Sequence, residues 1–258
     1  MCIYLFVIQF NLQLIHILVS SKVYTQCDFY VIPSMTIQDI CHNPELNIAS
    51  FPKYTGTLEA SFTEHIGNKG TFKTAHSGKI LEMHPCAPIS KFASYVPAAD
   101  HFNPKNALGD GCERVVCIKQ IYEPHRSGGI LRLQGPQEAR AILPEAMCLL
   151  FAGALLNMTY SFMDRQQSLL PELPPFAVPQ VRFVHAMIAI IHGGTDKAFL
   201  IEEYITGPFS KYINNSKPVP LQGLTGTSLE LAHFLCFAQH VQYEKSPNLA
   251  YTSDFQGK

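Results

Sequence analysis

TSLELAHFLCFAQHVQYEKSPNLAYTSDFQG, residues 227–257, carries the clearest secondary-structure pattern in the chain. Thr227 and Glu230 have the spacing of a capping box, in which a hydroxyl and a carboxylate bond the free N–H groups at a helix start. A helix is therefore predicted from Thr227 to Lys245, followed by a strand over residues 249–253.

The strand leads into Asp254-Phe-Gln-Gly257, where two polar side chains have a suggestive spacing. Asp254 and Gln256 are two residues apart, so in an extended chain they point to the same side. Their carboxylate and amide oxygens suit a magnesium ion that bridges phosphates. The alternative is a turn with a solvated aspartate.

Upstream of residue 227 the pattern indicates several strands and one long helix. The helix is predicted from near Pro144 to about Gln167, because proline is well tolerated at the first helical position. Residues 20–60 show no sustained periodicity and indicate a lead-in. Strands are predicted over residues 71–75, 114–122, 181–191 and 198–205, with a hairpin turn at 192–196 and a long surface insertion over 84–112.

The 258-residue chain is nearly neutral, with 19 Lys and Arg against 20 Asp and Glu. This balance gives no global attraction to nucleic acid or to an anionic membrane. Charged residues make up 15% of the chain, below the roughly 25% of ordinary soluble domains. Either much of the chain is therefore buried or a partner covers part of its surface. The eight cysteines show no framework spacing, which favours reduced core thiols.

The first 19 residues, MCIYLFVIQFNLQLIHILV, are apolar but lack the features of a targeting segment. No Lys or Arg precedes the apolar run, so the basic region of a signal peptide is missing. Gln9, Asn11, Gln13 and His16 interrupt the run, so it is not a clean span of about 20 apolar residues. We therefore expect a packed or artefactual segment and no membrane partner.

A lysine lies inside the apolar strand predicted over residues 114–122. Lys119 has valine and isoleucine neighbours, and burial of its charge is costly unless an anion meets it. The anion is either a nucleotide phosphate or Glu145, in the first turn of the following helix. A strand lysine and a helix glutamate form the arrangement with which phosphoryl-transfer enzymes hold phosphates. The alternative is a solvent-facing lysine on an edge strand.

Gly67 and Gly70 form a Gly-x-x-Gly sequence before the first of these strands. Its backbone N–H groups can cradle a phosphate, although such a sequence is more often a turn. The chain contains no GxxxxGK(S/T) and no GxGxxG, which excludes P-loop and Rossmann sites. It also lacks the HRD, DFG and APE sequences of ordinary protein kinases.

Seven segments, taken in order, carry a family resemblance. They are GTFKTA (70–75), VCIK (116–119), EA (145–146), IEEYITG (201–207), KYINN (211–215), AQHVQYEK (238–245) and DFQG (254–257). Together they resemble the alpha-kinase family, the atypical serine/threonine kinases related to elongation-factor-2 kinase and myosin-heavy-chain kinase. Their sequences are most similar to those of the fungal members. The resemblance implies an α+β, two-lobed, protein-kinase-like (alpha-kinase) fold with an incomplete C-terminal lobe. Residues 1–46 would be a lead-in, 47–200 the N-terminal lobe and 201–258 a partial C-terminal lobe.

The resemblance implies ATP-dependent phosphorylation of protein serine or threonine hydroxyls, with ATP and Mg²⁺ as cofactors. Lys119 matches the lysine that holds the ATP phosphates, and Glu145 matches the helix acid that pairs with it. Gly67 and Gly70 would lie on the phosphate side. Glu202 falls where the hinge glutamate of the family meets the adenine, with Glu203 as the alternative if the register shifts by one.

The C-terminal matches imply metal sites. Asp254 and Gln256 match the catalytic Asp-x-Gln-Gly, whose members hold magnesium and the phosphates. Asn215 ends a stretch in which Ile213 replaces a usual polar residue. His240 matches the histidine that opens the structural zinc site of the family.

The sequence also departs from the family pattern. In the family, Asp-x-Gln-Gly is followed by a second metal-binding aspartate and a Gly-rich loop. A histidine and two cysteines come after them and complete the zinc site. This sequence ends one residue after Gly257, and none of its cysteines follows His240, so no complete zinc site is expected. Loss of the second aspartate would weaken magnesium-assisted transfer. The alternative to an active kinase is therefore a catalytically dead, truncated remnant that binds a nucleotide or a protein.

The resemblance further implies a protein substrate and a cytoplasmic location. The near-neutral charge argues against a nucleic-acid partner. The oligomeric state does not follow from the sequence.

Overall fold

The computed structural model describes residues 22–43, 46–63, 65–67, 72–86, 114–124, 129–170, 177–193, 197–214 and 216–257. In chain order they form β1 (Val23–Val31), α1 (Ile37–Cys41), a 3-10 turn (Ile48–Ser50), β2 (Lys53–Ala60), β3 (Lys73–Pro85), β4 (Arg114–Pro124), β5 (Ile130–Arg132), α2 (Pro136–Leu169), β6 (Ala186–Ile191), β7 (Ala198–Glu203), β8 (Ser210–Lys211), α3 (Gly226–Lys245) and β9 (Gln256–Gly257). The apolar N-terminal 19 residues, Gly70, Asn215 and most of the expected insertion lie outside these ranges.

Six antiparallel strands pair into a closed ring. Their order is β3-β2-β1-β6-β7-β4, and β4 pairs again with β3, while β5 pairs with the end of β4. Successive side chains of a strand face opposite sides, so every second residue points into the ring. The buried interior residues are Cys27, Phe29, Val31, Leu58, Ala60, Ile80, Val116, Ile118, Met187, Ala189, Phe199 and Ile201. Each ring strand has a partner on both sides, so the ring has no free strand edge.

Two strands of the ring come from the region that was expected to be a lead-in. β1 pairs with β2 and with β6, so residues 23–31 form a strand of the ring and are not only a lead-in. The last ring strand along the chain, β7, ends at Glu203, and the lobe boundaries at residues 47 and 200 stay predictions. The alternation in β1 is short, because buried residues occupy only its second half, from Cys27 to Val31.

The strand predicted over residues 114–122 is confirmed as β4, and the predicted hairpin is confirmed as β6 and β7. β6 begins at Ala186, five residues later than predicted, because residues 181–185 are not paired as a strand. β3 is much longer than the predicted residues 71–75, since it pairs with β2 along one side and with β4 along the other.

The 34-residue helix α2 covers the outer face of the ring. Its buried stripe packs against Ile188 and Leu200 and contains Ile142, Ala146, Leu150 and Ala154. The helix begins at Pro136, and Pro144 lies inside it, so the predicted start is wrong. An internal proline removes one backbone hydrogen bond, but the stripe is buried on both sides of Pro144. By length and composition α2 also meets the criteria for a membrane span, although this stripe packs on the ring.

A second, smaller core lies at the C-terminal end of α2. It joins α3 to the two-stranded sheet of β8 and β9. Its buried members are Tyr212, Ile213, Ala232, Phe234, Leu235 and Phe255, and Tyr160 and Met163 of α2 pack against them. Helix α2 therefore packs both on the outer face of the ring and on this smaller core, which gives the chain two lobes.

Two predictions in this lobe are wrong. Helix α3 begins at Gly226 with Thr225 as its N-cap, so Thr227 and Glu230 do not form the expected capping box. Residues 249–253 form no strand, because helix side chains bond their backbone instead. Thr252 N–H donates to Gln242 Oε1 at 2.8 Å, and its carbonyl accepts from Gln239 Nε2 at 2.8 Å.

Candidate functional site

Charged side chains from three ring strands share the outer face that α2 covers. Lys119 of β4 pairs in register with Leu200 of β7, which packs under α2. Directly opposite residues share a face, so Lys119 points to the α2 side. By the same alternation Glu202 of β7 and Lys73 of β3, which is opposite Ile121, point to that side. This group of charges, together with Glu145 of α2, is called the lysine–glutamate face below.

Each lysine of the lysine–glutamate face contacts a different carboxylate. Lys119 Nζ lies 3.5 Å from Glu202 Oε2, and Lys73 Nζ lies 2.5 Å from Glu145 Oε2. The Lys119 and Glu202 side chains are 28% and 20% exposed, so solvent and a ligand can reach both. The expected pair between Lys119 and Glu145 is therefore wrong.

Strand register explains this correction. Lys119 and Lys73 are diagonal neighbours on β4 and β3, because Lys119 is opposite Ala75. Glu202 is diagonal to Lys119 on the other side, on β7. Sequence reasoning missed Lys73, although it follows the Gly67 turn inside a predicted strand, which is the same signal that identified Lys119.

The two consecutive glutamates of β7 face opposite ways. Glu203 forms a bidentate ion pair with Arg182, with Nη1–Oε2 and Nη2–Oε1 distances of 2.7 and 2.8 Å. Burial alone would raise the pKa of Glu203, but the Arg182 guanidinium and the His185 backbone N–H hold the pKa of this carboxyl below its usual value. Of the two alternatives, Glu202 is the one that lies on the lysine–glutamate face.

The glycine turn is only partly described. Gly67 is exposed and has a φ of +67°, a left-handed conformation that favours glycine. Ile66 N–H donates to the Ala75 carbonyl at 2.8 Å, so the turn is attached to β3. A phosphate-binding role of Gly67 and Gly70 remains a prediction.

Asp254 and Gln256 lie in the second lobe beside the short sheet of β8 and β9. Lys211 of β8 is opposite Gln256, and its Nζ lies 2.6 Å from Asp254 Oδ1. Asp254 has a φ of +60°, an uncommon conformation for a residue with a side chain. The buried Phe255 anchors this turn, because its carbonyl accepts from Tyr212 N–H at 2.9 Å.

The site residues therefore form two groups, one in each lobe. Among the residues that the structure describes, no hydrogen bond or ion pair joins the lysine–glutamate face directly to the Asp254 turn. The chain passes from one lobe to the other between Glu203, the end of β7, and Ser210, the start of β8. Lys211 was missed as the partner of Asp254, although it begins one of the segments that carry the resemblance.

His240 is exposed on α3, with its Nε2 4.0 Å from Glu244 Oε1 in the next turn. Over the described part of the chain, no three His, Cys, Asp or Glu residues group closely enough to hold a metal ion. The structure therefore gives His240 no zinc-binding neighbours in that part.

The fold is a two-lobed α+β kinase-like architecture, with a lysine–glutamate face on the ring and an Asp-x-Gln-Gly turn in the other lobe. Residues 156–258 match the model of the alpha-kinase family. This match covers the C-terminal part of the chain and agrees with the resemblance stated from the sequence.

Solved structures of alpha-kinase domains support the same fold over most of the chain. The domain of myosin-II heavy chain kinase A in complex with AMP-PNP matches with a TM-score of 0.54 and 13% identity, over 92% of this chain and 80% of that chain. An inactive form of the same domain in complex with ATP matches with a TM-score of 0.54 and 14% identity, over the same shares. No curated protein matches the sequence significantly. The predicted fold class is confirmed.

Proposed function

We propose that this chain is a protein serine/threonine kinase that binds Mg²⁺·ATP at the lysine–glutamate face. The observation that carries the proposal is the placement of Lys73 and Lys119 on one face of a ring with the alpha-kinase fold. Their register on adjacent strands separates the two positions by about 7–8 Å. Two lysines at that spacing can contact different phosphate groups of one triphosphate.

Glu145 and Glu202 hold the lysine side chains in place before a nucleotide binds. A long side chain that is already ordered loses less conformational freedom when it meets a ligand. Each ammonium group has three donors, so it can bond a phosphate oxygen while it still faces its glutamate. Glu202, close to the end of β7, is also the residue that we propose to lie beside the adenine.

Asp254 and Gln256 are the residues that would hold magnesium. One carboxylate and one amide oxygen suit an ion that prefers oxygen ligands and usually takes one or two protein carboxylates, with phosphates and water as the remainder. When bound, magnesium neutralises charge on the transferred phosphoryl group. Phe255 fixes the turn from inside, and Lys211 keeps the Asp254 carboxylate oriented.

The second candidate function is a nucleotide-binding module without phosphoryl transfer. The Lys211–Asp254 contact favours it, because an ammonium group 2.6 Å from Oδ1 already neutralises the carboxylate that would hold magnesium. In that case a nucleotide binds the lysine–glutamate face but no phosphate is transferred.

Nucleotide binding is tested by thermal denaturation and calorimetry of the full chain with Mg²⁺·ATP. A ligand at about 100 times its Kd adds about 2.7 kcal/mol of stability, which raises the Tm by about 5–10 °C at this size. We expect Lys119→Ala and Lys73→Ala each to weaken binding at least about tenfold. Lys22→Ala is the matched control, because it removes another ring ion pair, 2.8 Å to Glu59. A wild-type chain that folds cooperatively but shows no shift would refute ATP binding.

Phosphoryl transfer is tested with radiolabelled ATP and a serine- and threonine-rich acceptor protein, with identification of the labelled residues. We expect label on serine or threonine, and its loss in Asp254→Asn. ATP binding without any transferred label would favour the non-catalytic candidate.

We also propose a cytoplasmic location. The six cysteines at described positions are free thiols, which supports a reducing compartment. Fractionation of cells that express the tagged chain tests this proposal.

A further inference from the structure

Residues 177–185, which lie between α2 and β6 and are called the connecting segment here, contact Glu203 beside the lysine–glutamate face and Phe255 in the Asp254 turn. Tyr160 of α2 fixes the start of the segment. Its hydroxyl donates to the Pro179 carbonyl at 2.8 Å and accepts from the Val181 N–H at 2.8 Å. Tyr160 also stacks on Phe234 of α3, with the ring centroids 5.9 Å apart. The segment is thus attached to the helix that both lobes share.

The middle of the connecting segment holds the end of β7. Besides the bidentate Arg182–Glu203 pair, the Glu203 carboxylate accepts from His185 N–H at 3.2 Å, and Glu203 N–H donates to the His185 carbonyl at 3.0 Å. Glu203 directly follows Glu202, and consecutive strand residues face opposite sides. Contacts that fix Glu203 on one side therefore fix the direction in which Glu202 points toward Lys119.

Phe183, which follows Arg182 in the connecting segment, contacts the Asp254 turn. The Phe183 ring stacks on Phe255, with centroids 6.2 Å apart and an interplanar angle of 25°. Phe255 lies between Asp254 and Gln256, so its ring anchors the turn that carries both. Arg182 Nη1 also donates to the Phe183 carbonyl at 3.2 Å, which joins the two contacts.

We propose that Arg182 and Phe183 are positioning residues that couple the lysine–glutamate face to the Asp254 turn. The kinetic effect of this coupling rests on the proposed function. The guanidinium fork matches a carboxylate in two places, which fixes orientation as well as distance. The connecting segment thereby sets the relative position of two groups that have no direct contact, and small errors in such positions reduce rates strongly.

The first test compares kinetics and binding of Arg182→Ala, Phe183→Ala and the double variant, with Arg165→Ala and Phe237→Ala as exposed matched controls. We expect Arg182→Ala to raise the KM for ATP by about tenfold or less, and Phe183→Ala to act mainly on kcat and on the Mg²⁺ requirement, by about ten- to a hundredfold. Arg182→Lys restores only part of the loss, since a point charge cannot form both bonds. Phe183→Tyr, which keeps the ring, restores most of it.

The second test needs no nucleotide. Hydrogen exchange of the free chain reports the amides of His185 and Glu203 at one end, and of Tyr212 and Ile213, which donate to the Phe255 carbonyl, at the other. We expect each alanine variant to speed exchange at both ends. Faster exchange confined to the end nearest the substitution, or equal changes in the controls, would overturn the coupling. A wild-type chain that binds no ATP would instead refute the proposed function, and the exchange result would still decide the coupling.

Discussion

The Gly56→Ala substitution tests the close approach of β2 and β3, which the ring requires. A Cβ atom at Gly56 would lie 2.0 Å from the Glu82 carbonyl oxygen and 3.1 Å from Met83 Cα. Both atoms belong to the backbone of β3, so no side-chain rotation relieves the overlap. The strands must separate beside the register shift between Thr57 and Leu58. Overpacking costs about 1–3 kcal/mol, and a lost ladder bond adds about 1 kcal/mol, so we expect a loss of about 2–4 kcal/mol.

Gly153→Ala is the matched control, with an effect of opposite sign. A Cβ at Gly153 meets nothing within 4 Å, and alanine inside a helix is favoured over glycine by about 0.5–1 kcal/mol. Urea denaturation of both variants measures the two free energies of unfolding. If the Gly56→Ala variant is as stable as the wild type, β2 and β3 do not approach each other this closely.

Three further outcomes follow from individual contacts. Lys211→Ala should cost about 1 kcal/mol or less in urea denaturation, because both it and Asp254 are 43% exposed; a loss several times larger would contradict a surface pair. The lowered pKa of Glu203 means that its contribution to stability is complete above its ordinary pKa of 4.5 and is lost as pH falls through the lower folded value. The stability difference between wild type and Glu203→Gln should therefore shrink as pH falls below 4.5, and a difference that grows on acidification would be inconsistent with this pair. Burial raises the pKa of Cys27 to about 12, so iodoacetamide should label exposed Cys148 first, and equal rates would show that the ring opens.

Burial on both faces explains which strands were predictable from the sequence. β6 and β7 have buried residues in four consecutive positions, because the ring interior and α2 cover opposite sides. Such strands appear as continuous apolar runs. β1 is buried only at alternate positions in its second half, and α1 and a 3-10 turn separate it from β2. Its place in the ring depends on partners far along the chain.

The sequence predicted several residues of the candidate site, but it did not predict Lys73, Lys211 or the pairing of the charges. Lys119 and Glu145 were identified from local sequence and Glu202 from the family resemblance, and the structure places all three on the lysine–glutamate face. Their pairing depends on register between β3, β4 and β7, which no local pattern shows. The observed ion pairs, Lys73 with Glu145 and Lys119 with Glu202, therefore follow only from the assembled ring.

The ion pairs of the site differ in geometry, and this difference separates their roles. Lys119 meets Glu202 at 3.5 Å through one oxygen, and partly exposed pairs with this loose geometry contribute about 1 kcal/mol or less. Lys119 can therefore leave Glu202 and bind a phosphate without the cost of about 3–5 kcal/mol that breaking a fully buried pair carries. The Glu203 carboxylate instead binds Arg182 through both oxygens and accepts a backbone N–H as well. Since three donors must leave together to release it, Glu203 stays fixed while the neighbouring Glu202 remains free to exchange its partner.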